Sequence, residues 1–350
     1  MDVMTNSAMG TFQACPRKFY FNYVARIKKD TDSVPLRFGS MVHDALERRL
    51  TGQPLFDEIN KLYDKAIMQT LNPYEKYTMN CERHAVIATV LGYCDHWQSD
   101  GETMAIIDVE KTFNYIEDGQ EWQGMKDAVV KLAESIMMPE RVALMEHKTT
   151  SKDVRDEGYW ARLSIDSQIN LYYQAMQEKY GFETVLYDVI KRTSIKPAKV
   201  PVLDDDGCKI VTLKSDGSRV YNKNGTPKKA VGDSKTQELQ TVMEDPKDFG
   251  DRIYEAILAE PQDFFERREL PRLDINLDES AKDRSAVVRQ IAECESSGHY
   301  PKATQACNMY HSLCPYFNIC STCGTQKLDV IPEGYVLKGS THTELERNRK

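Results

Sequence analysis

The chain has 350 residues, which is enough for one large domain or two modest ones, each with its own hydrophobic core. Its 54 acidic residues outnumber the 46 Lys and Arg residues and give a net charge of −8, so only a local basic patch could attract nucleic acid. There is no run of eighteen apolar residues and no charged start followed by an apolar stretch, so we expect a soluble cytoplasmic protein that has no membrane partner.

The first fifty residues predict two helical segments. From Thr5 to Val24, aromatic residues recur at helical spacing after a capping threonine, and Pro16 interrupts the pattern. Cys15 stands directly before that proline, where the backbone tends to leave the helix. The second segment runs over residues 39–50 and has an apolar face with His43 at its edge. A histidine in that position is either a packed core residue or a ligand.

After Gly101 the pattern changes to strands. Residues 104–109, 122–132 and 141–148 predict three successive strands, which favours an antiparallel meander. Residues 164–176 predict a helix and residues 185–190 a fourth strand. A strand, a helix and a further strand imply a right-handed crossover, so the fold class is α/β with a mixed sheet.

Two of these strands carry side chains suited to holding a metal. Strand alternation places Glu146 and Lys148 on one side and turns His147 away. A hairpin partner could bring Asp127 beside Glu146, and two facing carboxylates repel unless a cation lies between them. The three side chains could thus hold a metal and act on a phosphate, although a solvated strand face is the alternative explanation of the spacing.

Five short motifs occur in the order found in a known family. Together they make the chain similar to the PD-(D/E)XK nuclease superfamily. Within it, the chain resembles the RecB-like exonuclease branch, which includes CRISPR-associated exonucleases, the AddB nuclease domain and phage-encoded relatives. The motifs are Cys15-Pro-Arg-Lys-Phe-Tyr20, Gly39-x-x-x-His43, Gly124-x-x-Asp127, Glu146-x-Lys148 and Gln168-x-x-x-Tyr172.

The resemblance implies a restriction-endonuclease-like mixed sheet flanked by helices, and a site within it. His43, Asp127 and Glu146 would bind Mg²⁺ or Mn²⁺, and Lys148 would be the catalytic lysine. Gln168 and Tyr172 would lie along the same cleft and contact the substrate or support the metal ligands. The implied activity is a metal-dependent DNA exonuclease acting on single strands or DNA ends in recombination, repair or phage DNA metabolism. One departure is that Lys126, and not a proline, precedes Asp127.

Nine cysteines are unevenly placed, and four of them lie between Cys307 and Cys323. Such a group in a reducing compartment is more often a metal or cluster site than a disulfide framework. In iron–sulfur members of the resembled branch, a [4Fe–4S] cluster joins one N-terminal cysteine to three C-terminal ones. The resemblance assigns it to Cys15, Cys307, Cys314 and Cys320.

One cysteine spacing departs from the branch. The C-x₅-C spacing of Cys314 and Cys320 fits it, whereas a C-x₆-C spacing precedes Cys314. His311 or Cys323 could therefore replace Cys307 as the remaining ligand. A zinc site that uses His311 is the competing chemistry, and free thiols are the third possibility.

A basic insertion follows the fourth predicted strand. Residues 191–235 contain eleven Lys or Arg and five Asp, a local charge of +6, which leaves −14 for the rest of the chain. Two glycine turns flank a short predicted strand at Val220–Tyr221. The segment is either a solvated hairpin or a flap that binds the DNA backbone through Lys223, Lys228 and Lys229.

The sequence divides into five predicted segments. They are an N-terminal helical part (1–100), a nuclease core (101–195), a basic insertion (196–250), C-terminal helices with the cysteine cluster (251–330) and a flexible tail (331–350). No phosphate-binding motif of a helicase motor is present, so no motor is fused here, and any motor that acts with this chain would be a separate helicase or recombination protein. The alternative function is a DNA-end-binding or structural partner in a recombination or replication complex with a vestigial nuclease site. A zinc-containing regulatory protein would leave the Glu146-x-Lys148 strand unexplained.

Overall fold

The computed structural model describes residues 3–30, 34–135, 138–309, 312–322, 328 and 330–345. The α-helices in chain order are α1 Asn6–Ala14, α2 Pro16–Phe19, α3 Val34–Thr51, α4 Asp57–Gln69, α5 Pro73–His96, α6 Asp100–Thr103, α7 Glu157–Leu163, α8 Ser167–Tyr180, α9 Pro246–Ala259, α10 Asp274–Ser297 and α11 Phe317–Thr322. A π-helix follows α2 at Tyr20–Val24, and short 3-10 turns lie at Pro261–Asp263, Thr304–Cys307 and Thr343–Leu345. Within the described ranges, none of these helices combines the length and the apolar character needed to cross a membrane.

The strands are more numerous than the sequence predicts. In chain order they are β1 Val3–Met4, β2 Ile27–Lys29, β3 Met104–Glu117, β4 Gln120–Leu132, β5 Arg141–Thr150, β6 Thr184–Lys191, β7 Lys199–Pro201, β8 Val211–Leu213, β9 Gln237–Leu239, β10 Thr241–Met243, β11 Phe265–Glu269, β12 Asn308–Met309, β13 Ser312–Leu313 and β14 Tyr335–Leu337.

The chain forms two compact units. The first unit comprises Met1–Pro54, Trp97–Lys191 and Phe265–Lys350, and the second comprises Leu55–His96 and Arg192–Phe264. The five-segment division drawn from the sequence stays a prediction, and the last five residues of its C-terminal segment lie outside the described residues.

A six-stranded mixed sheet forms the centre of the first unit. Its order is β1-β4-β5-β6-β11, and β3 pairs with β4. The β3–β4 and β4–β5 pairs are antiparallel and the β5–β6 pair is parallel, so the predicted meander and crossover are both confirmed. The predicted α/β fold class with a helix-flanked mixed sheet is likewise confirmed.

One edge of β4 is divided between two partners. β1 pairs with it at Glu121 and Trp122, and β5 pairs with it from Ala128 to Leu132. Among the described strands, none pairs with residues 123–127 on that edge. The sheet is therefore open over these five residues, and Asp127 stands at the end of the opening.

The sequence did not predict the outer strands β1 and β11. β1 has only two residues, which is too short for a periodic pattern. β11 reads Phe-Glu-Arg-Arg-Glu and lacks the alternation of apolar and polar residues that indicates a strand. It pairs antiparallel with β6, whose residues are almost all buried.

Helices cover the sheet and build the main core of the first unit. Thr5 caps α1 by accepting a hydrogen bond from the Ala8 N–H, and the helix ends before Cys15, whose backbone is extended as expected before Pro16. α1, α8 and α10 contribute buried apolar side chains to one cluster that also contains Trp122. The helix predicted over residues 5–24 is therefore a helix–break–helix segment.

The second unit contains α4, α5 and α9 together with the basic insertion. The insertion folds into short antiparallel pairs, β7 with β10 and β8 with β9. The strand predicted at Val220–Tyr221 is wrong, because Val220 lies in no strand or bridge and Tyr221 forms only an isolated bridge with Pro227. Gly207, Gly217 and Gly225 have positive φ values and close the turns.

Candidate active site

A cavity of about 270 Å³ lies at the open edge of β4. It is lined by the start of α1, by His43 of α3, by β4 and β5 around the opening, and by α8. All six side chains assigned to the nuclease site by the resemblance therefore lie at one place. They are His43, Asp127, Glu146, Lys148, Gln168 and Tyr172.

Glu146 and Lys148 form a closed hydrogen-bonded group with Gln168. The Lys148 Nζ lies 2.9 Å from Glu146 Oε1 and donates to Gln168 Oε1 at 2.8 Å. The Gln168 amide in turn donates to Glu146 Oε1 at 3.0 Å. Each member thus fixes the other two, and the lysine ammonium is held at the cavity wall before any substrate arrives.

Asp127 joins β4 to α3 and β5. Its Oδ1 lies 3.2 Å from Nδ1 of His43, and its Oδ2 accepts a hydrogen bond from the His147 main-chain N–H at 2.8 Å. α3 can approach β5 closely because Gly39 has no side chain, since a Cβ there would lie 3.0 Å from Thr149 Oγ1. This explains why a glycine stands one helical turn before His43.

Tyr172 packs beside this group. Its ring lies 5.0 Å from that of Phe113 at an interplanar angle of 80°, and its hydroxyl lies next to the Gln168 side chain. Tyr172 therefore supports Gln168 from the side of α8. It also provides an aromatic part of the cavity wall.

The two carboxyls differ in their electrostatics. Burial raises the pKa of Glu146 from its ordinary value of 4.5 to about 7, against the opposing effect of the Lys148 charge. Burial also opposes ionisation of Asp127, but His43, followed by His147, outweighs it and lowers the pKa of that carboxyl. Asp127 is therefore fully ionised near pH 7, whereas Glu146 is only partly ionised there without a cation.

The donors fit a hard divalent cation. Glu146 lines the cavity and is 3% exposed, and its Oε2 is buried without a hydrogen-bond partner. Two carboxyls and one imidazole suit Mg²⁺ or Mn²⁺, which favour oxygen ligands and retain waters. Throughout the described ranges, no three His, Cys, Asp or Glu side chains already stand in a metal-holding group. The His43 imidazole contacts Asp127 Oδ1, so a metal bound at that oxygen would compete with this contact.

The four candidate cysteines line a second, smaller cavity of about 20 Å³. Cys307 and Cys314 flank the paired strands β12 and β13, and the Cys314 N–H donates to the Cys307 carbonyl at 2.8 Å. The antiparallel pairing of these two strands therefore brings the two cysteines together. Cys15 reaches the same cavity from the break between α1 and α2, and Cys320 reaches it from α11.

Basic residues surround this cysteine cavity. Arg17, Lys18 and Lys302 line it together with the thiols. Burial raises the pKa of the Cys314 and Cys320 thiols, and the nearby cations lower it in part. The alternative ligands His311 and Cys323 lie outside the described residues.

The insertion lysines differ in exposure. Lys223 and Lys229 are exposed, whereas Lys228 is half-buried and donates to Gln237 Oε1 at 3.1 Å. Lys228 therefore has a local structural contact that the sequence did not indicate.

Sequence reasoning missed three contributors to the site. Strand alternation turns His147 away from Glu146, yet His147 also lines the cavity because its main-chain N–H faces Asp127. Asn6 and Ser7, at the start of α1, line the cavity as well. The capping pattern at Thr5 indicated where α1 begins. It could not indicate the two-residue strand β1, which places the start of α1 beside β4.

Comparison with known proteins gives one family. The chain matches the family model described as the PD-(D/E)XK nuclease superfamily over residues 4–321. No curated protein was found to match it. A solved structure described as "Crystal structure of SSO0001" is 15% identical with a TM-score of 0.20, and the match covers 44% of this chain and 60% of that one. The chain thus spans less than two thirds of that protein's length.

Proposed function

We propose, since this chain belongs to the PD-(D/E)XK nuclease superfamily, that it is a divalent-metal-dependent DNA exonuclease acting on single strands or DNA ends. The observation that carries the proposal is the convergence of Asp127, Glu146 and Lys148 on one cavity, where a buried Glu146 oxygen lacks a partner. A carboxyl pair with an adjacent ammonium suits phosphodiester hydrolysis. That reaction needs a polarised water and neutralised phosphate oxygens.

Each side chain has a separate task in this proposal. His43, Asp127 and Glu146 would hold Mg²⁺ or Mn²⁺, which when bound supplies Lewis-acid polarisation of phosphate and water oxygens. Lys148 donates hydrogen bonds to charge that develops on the phosphate oxygens. Burial lowers the pKa of Lys148, but the adjacent Glu146 and Asp166 side chains outweigh it and raise the pKa, so the lysine stays protonated.

The start of α1 supports an anionic substrate. Asn6 and Ser7 line the cavity, and the first turn of the helix contains no acidic residue. Main-chain N–H groups at a helix start favour phosphate oxygens. We therefore assign this end of the cavity to a backbone phosphate of the DNA.

A [4Fe–4S] cluster at the cysteine cavity is a second part of the proposal. Its support is that Cys15, Cys307, Cys314 and Cys320 line one cavity beside three cationic side chains, which would offset the negative charge of a thiolate-bound cluster. A zinc ion is the alternative occupant. Either would link the two ends of the chain.

The decisive experiment is cleavage of end-labelled single strands and blunt duplexes by purified protein with Mg²⁺, Mn²⁺ or EDTA. We expect stepwise shortening from an end that requires metal and that is lost in Glu146→Gln. Products of internal cleavage would contradict the exonuclease assignment. DNA binding without cleavage in either metal would instead favour the end-binding partner with a vestigial site.

A further inference from the structure

Three buried polar side chains form a row across β5, β6 and β11. The strand registers place His147 opposite Asp188, and Asp188 opposite Arg267. His147 Nδ1 lies 3.0 Å from Asp188 Oδ2, and an Arg267 guanidinium nitrogen lies 3.1 Å from the same oxygen. All three side chains are at most 9% exposed. The row is therefore enclosed by the sheet and its covering helices.

The row continues to the helix that carries His43. Arg267 donates to Asp100 at 2.7 Å, and Arg49 of α3 donates to the same carboxylate at 2.9 Å. The Arg267 guanidinium also lies 3.9 Å from the centre of the Trp97 ring, and Arg49 donates to the Trp97 carbonyl. Two carboxylates alternate with two guanidinium groups, so the buried charges compensate one another.

His147 connects this row to the candidate metal ligands. Its main-chain N–H binds Asp127, and its ring stands nearly perpendicular to the His43 ring with 6.2 Å between centres. His147 is also the residue between Glu146 and Lys148. A shift of the His147 main chain would thus move Glu146 and Asp127, and a shift of its ring would move His43.

The energetics argue against a purely stabilising role. Burying an ion pair costs desolvation energy that its attraction only partly offsets, so apolar residues of the same shape are often as stable. Such a network instead fixes the orientation of its side chains. Groups that hydrogen-bond to metal ligands in this way commonly set the metal affinity. No part of the row except His147 lines the cavity.

We propose that Asp188 and Arg267 are positioning residues that set the divalent-metal affinity of the site through His147. This inference rests on the proposed function, because it requires His43, Asp127 and Glu146 to bind a metal. Neither residue touches substrate or metal. Their effect is to hold the His147 ring and N–H where Asp127 and His43 need them.

The chain contains a matched control for the loss of a buried ion pair. Arg284 is fully buried and donates to both oxygens of Glu117, at 2.7 and 2.6 Å, and to Gln174 at 2.7 Å. None of these three residues lines the catalytic cavity. Glu117→Gln therefore disrupts a comparable pair without reaching the metal ligands.

The test compares Asp188→Asn with Glu117→Gln by calorimetric Mn²⁺ titration and thermal unfolding. We expect Asp188→Asn to weaken Mn²⁺ binding by about 10- to 100-fold. Excess Mn²⁺ should restore part of its cleavage. Glu117→Gln should lower the Tm but keep the wild-type Mn²⁺ affinity. Arg267→Lys, which retains the charge but cannot bridge Asp188 and Asp100, provides a milder variant if Asp188→Asn does not fold.

Two outcomes would overturn the inference in different ways. Wild-type Mn²⁺ affinity in both Asp188→Asn and Arg267→Lys would show that the row only stabilises the fold. Equal weakening in Glu117→Gln would lead to the same conclusion. Absence of Mn²⁺ binding and cleavage in the wild-type protein would overturn the proposed function, and this inference with it.

Discussion

Gly124 lies directly under the rings of Tyr172 and Phe113. A Cβ at this position would stand 2.5 Å from Tyr172 Cε1 and 2.6 Å from Phe113 Cζ. Real Cβ atoms do not approach other atoms so closely, so any side chain here must displace a ring. Because Tyr172 supports Gln168, the glycine of the Gly124-x-x-Asp127 motif serves the site by leaving space for the aromatic pair.

Gly124→Ala should therefore reduce both stability and cleavage. Inserting a methyl group into a packed region costs about 1–3 kcal/mol, and the displaced Tyr172 would loosen the hydrogen bonds of Gln168. Thermal unfolding and kcat measure the two effects. Gly101→Ala is the control, since nothing lies within 4 Å of a Cβ there. Wild-type kcat in Gly124→Ala would show that Gln168 needs no support from Tyr172.

The sequence predicted the site better than its surroundings. Glu146 and Lys148 are two residues apart on one strand, so local alternation sufficed to place them together. His147, Asp188 and Arg267 belong to three strands, and only the sheet registers bring them into contact. Arg267 lies on β11, whose charged sequence resembles a loop. Such contacts depend on how distant segments pair in the folded protein, which cannot be predicted from any single segment of the sequence.

Lys148→Ala should abolish most cleavage and leave DNA binding and metal binding intact. The ammonium acts on charge that develops during the reaction, and loss of one such donor lowers kcat by about 100-fold or more. Filter binding, Mn²⁺ titration and single-turnover cleavage separate the three properties. Lys152→Ala removes an exposed lysine four residues away and should behave as the wild type. Undiminished metal-dependent cleavage by Lys148→Ala would remove the site assignment.

The pKa of Glu146 predicts how the metal-free protein responds to pH. Its pKa in the folded protein is about 7, above the ordinary value of 4.5. Its contribution to the free energy of unfolding is therefore fully present only at low pH. That contribution is lost as the pH rises through about 7, because the buried carboxyl must ionise. In EDTA at pH 8, Glu146→Gln should therefore have a higher Tm than the wild type, by roughly 2–4 °C for each kcal/mol of unfolding free energy regained.

Thermal unfolding in EDTA at pH 5 and pH 8 checks this prediction. The difference between the two proteins should be small at pH 5 and largest at pH 8. Mn²⁺ should raise the wild-type Tm at pH 8 but not at pH 5, since a bound carboxyl must be deprotonated. Equal pH dependence in wild type and Glu146→Gln would contradict the assigned pKa.

Anaerobically purified protein should be brown and contain about four irons per chain if the cysteine cavity holds a [4Fe–4S] cluster. Cys307→Ser should lose most of the colour, because this cysteine lines the cavity next to Cys314. Cys294→Ser is the control, since Cys294 packs against the main core on α10 and not in the cysteine cavity. A colourless protein with stoichiometric zinc would favour the alternative metal. Full iron content in Cys307→Ser would exclude that residue as a ligand.

Replacing Lys223 and Lys229 by Ala tests whether the basic insertion binds DNA. Both side chains are exposed, so their loss should leave the Tm unchanged, whereas adding Lys228→Ala should also remove the Gln237 contact and lower it slightly. If all three lysines bind phosphates, each loss should make the slope of log K against log salt shallower by about 0.7 to 0.9. kcat at saturating DNA should stay near the wild-type value, because this binding affects ground and transition states alike.

The control for this experiment is the exposed pair Lys61 and Lys65 on α4. Their replacement by Ala changes the net charge of the second unit as much as the Lys223 and Lys229 double replacement does, so only contacts specific to the insertion can distinguish these two variants. An unchanged salt slope in the triple variant would show that the insertion is a solvated hairpin or binds a protein partner. A loss of kcat with intact DNA binding would mean that the insertion contributes to the reaction itself, and the separation of catalysis from backbone binding would be wrong.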